Sequence, residues 1–111
     1  ALRLLAADAN AAPMFEKILR DKDEPSEIRQ IAAAALEAIK PEKLKAYARE
    51  IVFDPSEDDE VRATCLTALT QFGDATTAED EALLKRVERL SGTASTQIKK
   101  SARQFLSKYG R

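Results

Sequence analysis

The sequence predicts an all-α chain folded as an α-α superhelix, a solenoid of about three helix pairs behind an N-terminal helix fragment. Three observations predict it. First, Ile28 to Ile39 (I-R-Q-I-A-A-A-A-L-E-A-I) returns as V-R-A-T-C-L-T-A-L-T-Q-F from Val61 and as I-K-K-S-A-R-Q-F-L-S-K-Y from Ile98. The copies start 33 and 37 residues apart, a spacing found in helical repeat arrays. Second, no segment shows the period-two alternation of β-branched residues that marks a strand. Third, alanine is abundant and aromatics make up 5% of the chain, a composition that suits closely packed helices.

Taken in order, Leu2 to Asn10 reads as a short helix, the remnant of an earlier repeat. Pro13 suits the first turn of the next helix, where its missing N–H is no loss, and Phe15, Ile18 and Leu19 share one face. Pro25 pushes Glu24 out of helical angles and ends that element. Ser26 is the expected N-cap of a helix from Glu27 to Ile39. Pro41 opens a helix to about Phe53 with an apolar stripe of Leu44, Tyr47, Ile51 and Val52.

Asp54-Pro55 stops that helix, and Ser56 with Asp59 has capping-box spacing for a helix from Glu60 to Phe72. Gly73 stands where a left-handed C-cap is expected. Thr77 and Asp80 are expected to cap a helix to Leu90, with Leu83, Leu84, Val87 and Leu90 on its inner face. Ser91-Gly92 stops it. Thr96 is the expected cap of the last helix, which Gly110 ends. The repeats are expected at about 13–40, 41–73 and 77–110, with 1–12 a partial repeat, all in one domain.

On a wheel of about 100° per residue, the three echoing helices carry one common stripe. Ile28, Val61 and Ile98 align, as do Ala32, Cys65 and Ala102, then Ala35, Ala68 and Phe105. Leu36, Leu69 and Leu106 follow, then Ile39, Phe72 and Tyr109. No single pair can bury such a stripe, so the pairs must stack into a continuous core.

Composition narrows the function. Of 111 residues, 44% are hydrophobic and 33% charged, with a net charge of −1, so no bulk electrostatic footprint for nucleic acid exists. Histidine is absent, which excludes histidine general bases and Ser-His-Asp triads. The lone Cys65 forms no intrachain disulfide, and a zinc site is not expected. No cofactor is expected. No apolar run approaches the roughly 20 residues of a membrane span. The expected compartment is the cytoplasm. The chain begins with Ala rather than Met, as a processed protein or a piece of a longer one would.

The segments D-P-S-E-D-D-E-V-R-A-T-C-L-T-A-L around Val61 and D-E-P-S-E-I-R-Q-I-A-A-A-A-L around Ile28 resemble the HEAT-repeat family. The likeness is strongest to the bacterial subtype found in phycobilisome lyase-like proteins. The third copy, Q-I-K-K-S-A-R-Q-F-L, is looser and has Lys99 where Arg29 and Arg62 stand. The resemblance covers roughly residues 13 to 110. It implies that the second helix of each pair lines the concave side. It also implies that the arginine of that helix bonds an aspartate in the preceding turn, a part Asp23 can play for Arg29. Ser56 and Thr93 hold the equivalent place before Arg62 and Lys99.

Arg29, Arg62 and Lys99 are therefore expected to form a structural ladder that ties repeats together through turn carboxylates and helix ends. The polar arc of the second helices differs between copies: Gln30, Ala33 and Glu37, then Ala63, Leu66 and Thr70, then Lys100, Arg103 and Ser107. Leu66, Thr70, Lys100 and Arg103 are the candidate partner-binding residues, with Leu66 either an exposed anchor or, with a slight rotation of its helix, a part of the core. The acidic turn Asp54 to Glu60 lacks calcium-loop spacing and reads as helix capping.

The leading expectation is a non-catalytic scaffold module that binds another protein or a peptide on its concave face. The alternatives are nucleic-acid binding through the basic C-terminal repeat, which is disfavoured because no aromatic interleaves the cations, and bilin lyase-like activity. No residue of the chain matches a catalytic role in the latter.

Overall fold

A computed structural model of the protein describes residues 11–93 and 95–110. Among them are seven helices and no strand: α1 (Ala12–Arg20), α2 (Ser26–Ile39), α3 (Pro41–Phe53), α4 (Asp59–Phe72), α5 (Ala75–Ala78), α6 (Glu81–Thr93) and α7 (Thr96–Tyr109). The helix anticipated over Leu2 to Asn10 lies outside the described residues. Helices α1 and α2, α3 and α4, and α6 and α7 pack as pairs, and α4 packs closely against α7. The molecule measures 40 × 29 × 17 Å. Its thinnest dimension is that of two helix layers at the usual interaxial spacing of about 8–10 Å.

Between the layers runs one core. Phe15, Leu19, Leu36, Leu44, Val52, Val61, Leu69, Leu83, Val87, Ile98 and Phe105 belong to it, with Ala32, Ala48 and Ala102 where helices approach most closely. Each large side chain fully buried here contributes roughly 1.5–3 kcal/mol. Small side chains between the helices let several such elements share a single core in a chain this short.

The helix starts differ from the expected caps in a consistent way. Wherever an aspartate competes with a nearby hydroxyl, the aspartate caps the helix. Asp58, not Ser56, accepts from the backbone N–H groups of Glu60 and Val61. Ser56 is instead held by Asp54, whose Oδ1 accepts from its N–H and its hydroxyl. Asp74 caps α5 in a reciprocal box with Thr77, and Asp80 accepts from the N–H of Leu83 at the start of α6. Thr77 and Asp80 thus serve two separate helices rather than one box. Ser95 rather than Thr96 caps α7. Ser26 is already helical and makes no cap bond; its hydroxyl donates to Glu60 at 3.0 Å.

Gly73 has φ −69 and ψ 160, so it is no left-handed cap. It is required by proximity instead, because a Cβ there would run into the Leu69 carbonyl and lie 2.5 Å from the Tyr109 hydroxyl.

Stacking between repeats is marked by side-chain bonds at similar sequence offsets. Thr64 on α4 donates to Gln30 on α2 at 3.0 Å, and Thr67 on α4 meets Ser101 on α7 at 3.2 Å. In the other layer, Tyr47 donates to Glu16 and Arg49 to Asp80. Thr64 and Ser101 hold the same place in their repeats. Ile31, the matching residue on α2, is 44% exposed.

Candidate protein-binding face

Helices α2, α4 and α7 lie side by side, and the surface across them is hollowed. One trough of about 320 Å³ is lined by Ala34 and Glu37 from α2, Ala63, Thr64 and Thr67 from α4, and Ser101 from α7. A second hollow adjoins it over Ala63, Thr64 and Ser101 and reaches Glu27, Glu60 and Lys100 at its rim. The floor is made of small residues because α4 approaches both neighbours closely, which leaves no room for long side chains between the bonded pairs Gln30–Thr64 and Thr67–Ser101.

Glu37 is the distinctive group of the trough. It is half-buried, and burial raises its carboxyl above the usual carboxylate range. None of the described cations pairs with it, although Lys22, Lys45 and Arg49 all have carboxylate partners. A half-buried carboxylate beside alanine and threonine suits a cationic or hydrogen-bond-donating group from outside.

The four residues anticipated as a partner-binding set are not brought together. Leu66 is 1% exposed and part of the core, which corrects its reading as a surface anchor. The physical reason is the tight packing of α4 on its neighbouring helices, above all α7. Ala33, its counterpart on α2, is buried as well.

Thr70 turns its hydroxyl back onto the Leu66 carbonyl, and its own carbonyl accepts from Lys108 at 2.7 Å and Tyr109 at 3.2 Å. It belongs to the α4–α7 junction rather than to the trough. Lys100 is exposed on the rim. Arg103 is exposed on α7 and lines neither hollow.

The ladder residues are also placed differently from expectation. Arg29 is 2% exposed and does not reach Asp23, which is exposed and donates its backbone N–H to Asp21. The Arg29 Nε donates to the Leu19 carbonyl at 2.9 Å, and its two Nη groups grip Glu57 of the following turn at 2.8 and 2.6 Å. The hydrogen bond to Glu57 raises the Arg29 pKa against the opposing effect of burial. Asp23 is passed over because the next repeat's turn lies directly over the guanidinium.

Arg62 repeats only half of this. Its Nη2 donates to the Val52 carbonyl at 2.6 Å, and its Nε has no partner. Lys99 is half-buried on α7. Cys65 is buried, which pushes its thiol up to about 12 and removes it from nucleophilic chemistry at neutral pH.

Two of these residues eluded the sequence reading. Glu57 was hidden inside an acidic turn that capping already explains, although its place four residues before Val61 was a signal. Glu37 stands on the polar arc with Gln30 and Ala33, where neither residue type nor spacing singles it out. Among the described residues no cluster of His, Cys, Asp and Glu could hold a metal ion, and no helix is long and apolar enough to cross a membrane.

Stacked helix pairs, one shared core and bonded neighbours define an α-solenoid. A family model for HEAT repeats matches residues 12–107, and the chain belongs to the HEAT-repeat family. No curated protein and no solved structure matches it. HEAT repeats are commonly scaffolds for protein interaction.

Proposed function

We propose that the chain is a non-catalytic scaffold module that holds a peptide segment of another protein in the trough across α2, α4 and α7. The observation that carries this reading is Glu37, a half-buried carboxylate that no described cation pairs with, in a hollow floored by Ala34, Ala63, Thr64, Thr67 and Ser101. An extended segment or one helix face would lay small or aliphatic side chains on the floor and place a Lys or Arg at Glu37. Lys100 at the rim would favour an acidic residue further along the same segment. The finer family likeness, to the phycobilisome lyase-like subtype, rests on the motif around Val61. Absorbance after mixing with a bilin tests it.

Selection of peptides from a displayed random library tests the scaffold reading, with Thr67→Arg as the blocked competitor. Enriched peptides should carry a basic residue, bind the parent chain and lose binding to Thr67→Arg, while helicity by circular dichroism is unchanged. Peptides that bind both proteins equally would overturn the reading.

A further inference from the structure

Arg29 and Arg62 occupy the same place in consecutive repeats, yet among the described residues only Arg29 has a counter-ion. Four residues before Val61 stands Glu57, which grips Arg29; four residues before Ile98 stands Ala94. The repeat that ought to supply a carboxylate to Arg62 has a methyl group in that position of its sequence. The consequence is visible in the guanidinium. Arg29 gives its Nε to the carbonyl ten residues back and its Nη1/Nη2 fork to the carboxylate. Arg62, with nothing to hold its fork, gives Nη2 to the equivalent carbonyl of Val52, and its buried Nε is orphaned.

A second cation stands beside it. Arg86 on α6 donates its Nη1 to the Phe53 carbonyl at 3.1 Å, the carbonyl next to the one Arg62 uses, and its guanidinium lies 5.0 Å from the centre of the Phe53 ring. Burial lowers the Arg62 pKa, and the like charge of Arg86 lowers it further. Of the nearby carboxylates, Asp54 pairs with Lys22 and Glu57 with Arg29, and Asp59, exposed at the start of α4, favours the Arg62 charge through space without forming an ion pair with it among the described residues. An arginine that is 7% exposed and unpaired among the described residues is a costly group to keep. Arg29 beneath its glutamate is 2% exposed, so Arg62 keeps slightly more contact with solvent than its counterpart.

We propose that Arg62, backed by Arg86, is a docking point for an acidic side chain of a partner protein, which takes the place that Glu57 takes on Arg29. On docking, the Arg62 guanidinium turns so that Nε donates to the Val52 carbonyl and the Nη1/Nη2 fork receives the carboxylate. This rests on the reading of the chain as a protein-binding scaffold, but it uses the edge between α3, α4 and α6 rather than the trough. A partner would therefore be gripped at two places by different chemistry.

The test follows the Arg62 Nε–H resonance by NMR in the full chain at low salt, during titration with a hexaglutamate peptide, a hexaglutamine peptide and inorganic phosphate. Hexaglutamate should shift that resonance saturably, and hexaglutamine should not. Arg86→Gln should weaken the effect roughly fivefold, the share of one partly exposed charge. An Arg62 resonance that ignores hexaglutamate overturns the proposal. Phosphate that saturates the site as tightly as hexaglutamate overturns its assignment to carboxylates. Because Thr67→Arg leaves this edge untouched, its response to hexaglutamate separates failure here from failure of the trough reading.

Discussion

Arg29 and Glu57 face each other as a two-pronged ion pair across the first repeat junction, with Nη1 2.8 Å from Oε1 and Nη2 2.6 Å from Oε2. Both side chains are buried. Removing one partner strands the other charge out of water, which typically costs about 3–5 kcal/mol. Glu57→Gln should lower the urea unfolding free energy by about 3 kcal/mol on that scale. The double change Arg29→Met with Glu57→Leu should recover at least half of the loss, because no unpaired charge remains. Arg62→Met should cost less than Arg29→Met, since Arg62 has no carboxylate to strand among the described residues.

Leu66 distinguishes a core residue from a surface anchor directly. As a core residue, Leu66→Ala should destabilise by about 2–5 kcal/mol in chemical unfolding. An exposed leucine would change stability by less than about 0.5 kcal/mol. Leu66→Glu should leave the chain largely unfolded by circular dichroism.

Glycines give a paired prediction. A Cβ at Gly73 collides with the Leu69 carbonyl and crowds Tyr109, whereas one at Gly92 meets nothing within 4 Å. Gly73→Ala should lower the melting temperature. Gly92→Ala, near the end of α6, should raise it, in line with the roughly 0.5–1 kcal/mol by which alanine exceeds glycine inside helices.

The pH dependence has two opposing parts. Hydrogen bonds hold Asp80 below its ordinary value, chiefly the one from Arg49, and likewise Asp54, chiefly the one from Lys22. Their stabilisation is present above the unfolded pKa of about 4 and is lost as pH falls below it. Glu37 is raised by burial, so its charged form opposes folding at neutral pH, and that opposition fades as pH falls through its folded value. Glu37→Gln should therefore melt higher than the parent at pH 7, with the difference shrinking towards pH 3. Thermal unfolding of both proteins across this range measures it.

Helix positions and most of the common stripe were legible because a 3.6-residue period survives in each copy and the copies reinforce one another; Phe72, at the end of its helix, is the exception, 41% exposed. The apolar face from Val61 to Leu69 needed no knowledge of neighbouring repeats. Leu66 and Arg29 did: which residue meets the next pair depends on how far each pair is rotated relative to the last, and that twist is written in no single helix. Caps failed for a local reason. Where Ser56 and Asp58 compete, the charged acceptor makes the stronger bond to backbone N–H groups, and spacing alone does not rank the two. The trough was illegible because its floor residues, Ala63 and Thr64, are unremarkable until α2 and α7 stand on either side.

The bonds between repeats also set a limit on folding time. Those described here join residues from 28 apart, as in Arg29 to Glu57, to 39 apart, as in Tyr109 to Thr70. Each therefore closes a loop of similar size, and the entropy of closure grows only with the logarithm of that size. Every pair folds onto its neighbour as a nearly independent, short-range event, with no distant strand or terminus to search for. A refolding rate measured on this chain should stay much the same if a further copy of its central repeat were spliced in.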